Sequence, residues 1–188
     1  TKERVDGLTP LLHWCIGPEI FRAQRESSDV MVSCMLYQKE NCKNMTYNDG
    51  QPAMSLMISE IAKDDTRNKI IAKHMNRYWK NGRKIILLSD RTCQLTLLES
   101  MLKELGIPQE SIGLFQGKTP ISERKTALSR DIVMCTFGMA NEGLDKEELS
   151  CLILATPKSR ITQAVGRIQR CFEGKQVPVV LDVVDNWS

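Results

Sequence analysis

A parallel β-sheet sandwiched between helices, a three-layer α/β/α fold, is the class that this 188-residue sequence predicts. Three observations carry the prediction. Continuous apolar runs such as Ile85-Ile86-Leu87-Leu88 lack the alternation of a half-exposed strand and suit strands covered on both faces. Helical periodicity follows, as in Leu95, Leu98, Met101 and Leu102. The two patterns then alternate along the chain, which is the order expected of parallel strands joined by right-handed crossovers.

Taken in order, residues 1–29 read as a connecting segment and residues 30–188 as the main domain. Asp6-Gly7 and Thr9-Pro10 are turn signals, and Leu11, Leu12, Trp14 and Ile16 make a short apolar turn of helix that Gly17-Pro18 breaks. Residues 19–25 read as a further turn of helix. Residues 30–36, rich in Val and Met, read as a strand, and 38–52 as a polar loop. The pattern from 53 to 80 is helical, with Ile70, Ile71, His74, Met75 and Tyr78 on one face, Asp64 or Asp65 as a cap, and Asn81-Gly82 as the stop. His74 reads as a partly buried helix residue. A buried strand over 84–88 leads through a turn to a helix that Gly106 and Pro108 end. The remaining elements are a short strand at 111–115, a helix at 121–129, strands at 131–136 and 151–155, a helix at 161–169 and a final strand at 177–184.

Composition narrows the function classes. The chain is 41% hydrophobic and 26% charged with a net charge of +3, ordinary for a soluble α/β protein and compatible with a polyanionic partner. Seven cysteines form no Cys-x-x-Cys pair, and His13 and His74 stand at no ligand spacing, so a metal site is not expected. Thiols scattered through apolar segments fit a reducing, cytoplasmic compartment. No window is long and apolar enough to span a bilayer, so no membrane partner is expected. The start, Thr1-Lys2-Glu3-Arg4, has neither an initiator Met nor a signal core and reads as a cut from something larger.

The chemistry-bearing residues gather where strands end. Ligands of doubly wound sheets sit beyond the carboxyl ends of the strands. Those ends carry Ser89, Asp90 and Arg91, then Thr136, Phe137 and Gly138 with Asn141-Glu142-Gly143-Leu144-Asp145, then Thr156, Pro157 and Lys158. Hydroxyls, glycine amides and cations are equipment for holding phosphate. No nucleophile–base pair stands among them. In the helix that follows, Gln163, Arg167 and Arg170 fall at i, i+4 and i+7, a stripe suited to reading phosphate, and Gly166 leaves room for a ligand or another backbone. The bland alternative is a solvated helix face. Gly117-Lys118-Thr119 ends like a phosphate-binding P-loop but is not one, because Ile112 stands where the motif requires glycine and Pro120 follows directly.

Thr136, then Glu142-Gly143-Leu144-Asp145, then Gln163-x-x-Gly166-Arg167-x-x-Arg170 resembles motifs V and VI of superfamily-2 helicases, and residues 84–91 resemble motif IV. The likeness covers about residues 66–184, and its style is that of helicases of large DNA viruses: poxvirus transcript-release helicases, their African swine fever virus relatives and a phage branch-migration helicase. It implies a RecA-like fold and a place as the second of two motor domains, with ATP and Mg2+ in the cleft and bound mainly by the first domain of the same polypeptide. On that likeness Arg167 and Arg170 would be arginine fingers and Gln163 would orient their helix or touch the nucleotide. Gly143, Asp145 and Gly166 would border the nucleotide, and Thr136, Gly138, Ser89, Arg91 and Lys118 would contact a nucleic-acid backbone, DNA favoured over RNA. The full-length protein would be an ATP-dependent helicase, with this stretch inactive alone. The sequence departs from the RNA-helicase pattern at Glu142, where an arginine often stands, and it contains neither a Walker A lysine nor an Asp-Glu metal motif. The alternative reading is a RecA-like module that binds nucleic acid or protein without ATP turnover.

Overall fold

The computed structural model describes residues 7–18, 20–21, 29–39, 45–117, 119–141 and 146–186. Among them, six strands form one sheet in the order β1-β6-β5-β2-β4-β3, with every pairing parallel. The strands are β1 (Met31–Gln38), β2 (Lys84–Ser89), β3 (Ile112–Phe115), β4 (Ile132–Thr136), β5 (Leu149–Leu154) and β6 (Val179–Asn186). The helices are α1 (Thr9–Ile16), α2 (Met54–Lys63), α3 (Asp65–Lys80), α4 (Thr92–Glu104), α5 (Ile121–Ser129), α6 (Phe137–Asn141) and α7 (Thr162–Ile168). The three-layer fold class read from the sequence is the one observed.

The apolar run of β2 is explained by its central place. Ile85 and Leu87 join one core with Ile71, Met75, Leu95, Leu98 and Leu102 of α3 and α4. Ile86 and Leu88 join the opposite core with Ala140 of α6 and with Ala164 and Ile168 of α7. All four β2 side chains are fully buried, and each such burial stabilises the fold by roughly 1.5–3 kcal/mol. Connections running one way along the sheet use α2, α3 and α4 on one face, and those running back use α5, α6 and α7 on the other, as a single crossover hand requires.

Three local details differ from the sequence reading or refine it. The helical stretch from 53 to 80 is two helices broken at Asp64, whose extended backbone (φ −66°, ψ 109°) and carboxylate cap α3 by accepting the Arg67 N–H at 3.0 Å. The stretch after β4, which the sequence reads as a strand-end loop, begins with a five-residue helix, α6. Residues 19–25 were expected to be helical, but Glu19 and residues 22–28 lie outside the described residues, and Ile20 and Phe21 carry no regular structure.

β3 and α5 approach closely at one glycine. A Cβ on Gly113 would fall on the carbonyl of Ala127, so only glycine lets the helix backbone lie this near the strand.

Candidate functional site

The carboxyl ends of β2, β4 and β5 stand level with one another. Ser89 is the register partner of Thr136, and Leu88 pairs with both Cys135 and Leu154. The first residues of the three loops therefore emerge side by side. Thr156, fully buried just beyond β5, accepts the Asp90 N–H on its hydroxyl at 2.9 Å, which ties the β5 loop to the β2 loop. Lys158 closes the group, with its ammonium 3.1 and 3.3 Å from the two oxygens of Asp90 and 5.1 Å from the centre of the Phe137 ring. One lysine thus touches the loops of β2 and β4 from the loop of β5.

Beneath these loops runs a buried polar chain that the sequence reading missed. Arg67 of α3 has no exposed surface. It donates to both oxygens of Asp185 at 2.6 and 2.8 Å and to the carbonyl of Ala155 at 2.7 Å. Its neighbour Asn68 accepts from Gln94 at 2.8 Å, and Gln94 accepts the hydroxyl proton of Ser89 at 2.6 Å. The ends of β6, β5 and β2 are joined through side chains of α3 and α4. Burial of such groups is tolerable only when each is satisfied, which fixes their geometry. Asp64 extends the chain toward β1 by accepting from the Tyr37 hydroxyl at 3.1 Å and pairing with Lys39 at 2.9 Å.

The predicted site residues divide on this frame. Ser89 is fully buried, with its oxygen also accepting the Arg91 N–H at 3.0 Å. The Arg91 guanidinium turns back to α2, donating to the Ser59 hydroxyl at 3.0 Å and to the Ser55 hydroxyl and carbonyl, each at 2.9 Å. Thr136 caps α6, its hydroxyl accepting the Met139 N–H at 3.4 Å, and Gly138 is exposed in that helix. Lys118, Gly143 and Asp145 lie outside the described residues.

α7 brings Gln163 to the surface and Arg167 to a half-buried position one turn on. Burial pushes the Cys135 thiol, one residue before the end of β4, up to about 12, and the positive charge of nearby Arg167 acts in the opposite direction. A Cβ built on Gly166 meets no atom within 4 Å, so nothing among the described residues requires a glycine there. The expected single stripe of Gln163, Arg167 and Arg170 holds for the first two. α7 ends at Ile168, and the Arg170 carbonyl accepts from the Lys175 ammonium at 2.8 Å instead of continuing the helix ladder. Arg170 then lines, with Cys171, Phe172, Lys175 and Val177, a cavity of about 610 Å³ next to the start of β6.

Fold and loop placement together define the class: a RecA-like three-layer α/β/α domain, a fold shared with helicase domains among solved structures. The particular relatives are viral. The chain is 31% identical over 189 residues to a protein of Acanthamoeba polyphaga mimivirus named as an ATP-dependent RNA helicase, a match covering 97% of this chain and 36% of that protein. It is 26% identical over 194 residues to a protein of Escherichia phage T5 named as a helicase, covering 98% of this chain and 41% of that protein. Among solved structures, T4 UvsW superposes with a TM-score of 0.63 at 17% identity, covering 86% of this chain and 33% of that one. No family model matches the chain. The resemblance to superfamily-2 helicases read from its motifs is therefore found again in both sequence and fold, over a chain that spans less than half the length of these viral relatives.

Proposed function

We propose that this chain is the second motor domain of an ATP-dependent nucleic-acid helicase or translocase. One observation carries the reading. On α7 the side of Gly166 is open space, beside the exposed Gln163 and next to Arg167. A glycine inside a helix costs about 0.5–1 kcal/mol relative to alanine, and no contact among the described residues repays that cost here. The space fits an incoming group, and an arginine beside it fits phosphate.

Arg167 is the finger that reaches the γ-phosphate of ATP held with Mg2+ by the first domain, and Arg170 is the second candidate for that role. An arginine there stabilises charge spread over the transferring phosphoryl oxygens. The described residues contain no cluster of three His, Cys, Asp or Glu able to hold a metal ion. Gln163 orients α7 against the nucleotide, and Gly143, Asp145 and Gly166 border it. Thr136, the Gly138 amide and Lys118 are the contacts assigned to the nucleic-acid backbone, while Arg91, its guanidinium spent on Ser55 and Ser59 of α2, steadies the β2 loop beside them. Ser89, with no surface of its own, acts by fixing the loop that carries Arg91.

Contacts of this kind read phosphate and are independent of base sequence. The mimivirus relative is named as an RNA helicase, so RNA is the first substrate to test, and the preference for DNA read from the sequence has no support from that name. No described helix is long and apolar enough to cross a membrane. The test is nucleic-acid-stimulated ATPase of the full-length protein. Arg167→Ala is expected to lower turnover by about 10³–10⁵-fold. Turnover equal to wild type would remove the finger role from Arg167, and a wild-type protein without nucleic-acid-stimulated turnover would leave the alternative, a RecA-like module that binds nucleic acid or protein without hydrolysis.

A further inference from the structure

We propose that Lys158 is a backbone-phosphate contact of the nucleic-acid face, and that Asp90 occupies its ammonium until a phosphate displaces it. This rests on the helicase reading above. Three cations stand on the loops at the carboxyl ends of β2 and β5, Arg91, Lys158 and the exposed Arg160, and the first two are held differently. Arg91 spends its guanidinium on Ser55, Ser59 and the Asp90 carbonyl, so releasing it would break several hydrogen bonds to α2. Lys158 is held by one carboxylate and one ring face. Its side chain is 38% exposed and that of Asp90 24% exposed, so the pair lies at the surface. Ion pairs so placed are weak and screened by salt. Exchange of Asp90 for another anion is therefore easy.

The geometry around the pair favours exchange over loosening of the loops. The Asp90 backbone is fixed separately, through its N–H to the buried Thr156 hydroxyl, so losing the lysine does not free the β2 loop. The Phe137 ring, its centre 5.1 Å from the ammonium, keeps the charge at the junction of the three loops while its anionic partner changes. An ammonium binds phosphate as a point charge and needs no particular orientation. The carboxylate of Asp90 thus stands where a phosphate oxygen would stand, and it competes with nucleic acid.

The two substitutions have opposite expected signs, which separates this role from a structural one. Binding of a labelled single-stranded oligonucleotide to the full-length protein is measured by anisotropy between about 50 and 200 mM salt. Lys158→Ala is expected to weaken binding and to make the log–log salt slope shallower by about 0.7, the loss of one phosphate contact. Lys158→Gln, which keeps a polar side chain without the charge, is expected to do the same, and Lys158→Arg to restore the slope. Asp90→Asn is expected to tighten binding several-fold. A wild-type slope for Lys158→Ala, or Asp90→Asn weakening binding as Lys158→Ala does, would overturn this role and leave the helicase reading intact. A wild-type protein that binds no nucleic acid would overturn both.

Discussion

Arg67 and Asp185, 118 residues apart in sequence, meet as a bidentate pair with Nε to Oδ1 at 2.6 Å and Nη2 to Oδ2 at 2.8 Å. The pair fastens α3 to the end of β6, and through the Ala155 carbonyl to the end of β5. Those ends carry the loops of the candidate site, so a nearly buried interaction sets where the surface residues stand. Removing one partner of a buried pair leaves the other charge uncompensated and typically costs about 3–5 kcal/mol. Asp185→Asn is expected to destabilise the protein by that order in urea unfolding. Replacing both partners, Arg67→Met with Asp185→Leu, is expected to recover part of the loss, although the Ala155 carbonyl then lacks its donor. A single Asp185→Asn variant that unfolds at the wild-type urea concentration would show that the pair does not hold these elements together.

That pair also marks how far the sequence could be read. Elements with a strong local pattern were legible: the fully buried β2, and α4 with its stripe of Leu95, Leu98, Met101 and Leu102. So was the cap at Asp64, since a carboxylate ahead of a helical pattern has a local meaning. Arg67 was not legible, because an arginine in a helix reads as surface unless its partner is known, and Asp185 lies at the far end of the chain. α6 escaped because a helix of five residues is too short to display a period. At the candidate site, residue types were readable and side-chain commitments were not. Nothing in the order Ser89-Asp90-Arg91 tells that Ser89 is buried by Gln94 or that Arg91 folds back onto α2.

Asp64 makes the acid sensitivity of the fold specific to one carboxylate. Burial alone would raise its pKa, but the Arg67 N–H, the Lys39 ammonium and the Tyr37 hydroxyl outweigh burial and hold it below the usual aspartate value. A carboxylate with a depressed folded value contributes stability above its unfolded value, near about 3.9, and loses that contribution as pH falls through the folded value. Asparagine is an equally good helix N-cap, so Asp64→Asn keeps the cap and removes the titration. Urea midpoints of wild type and Asp64→Asn are expected to differ at pH 7 and to converge as pH falls below about 4. A gap that stays constant down to pH 3 would mean that the carboxylate contributes nothing through its charge. Asp131, lowered chiefly by Lys84 and Trp79 against the raising effect of burial, keeps its own acid transition in both proteins.

The same substitution at two glycines is expected to act on stability with opposite signs. Gly113 lies under α5, where a Cβ would strike the Ala127 carbonyl, and backbone cannot move aside as a flexible side-chain tip would. Gly113→Ala is therefore expected to destabilise by about 1–3 kcal/mol, the usual cost of overpacking. Gly166 lies in α7 with no atom of the described residues within 4 Å of a Cβ. Gly166→Ala removes conformational freedom from the unfolded chain without strain and is expected to stabilise by about 0.4–1 kcal/mol. If the space beside Gly166 receives the nucleotide or the facing domain, the more stable protein will be the poorer enzyme. Thermal unfolding together with nucleic-acid-stimulated ATPase of the full-length protein tests both halves. Gly166→Ala that raises the melting temperature and leaves turnover unchanged would mean that α7 meets nothing at that point, and the observation on which the arginine-finger reading rests would be lost.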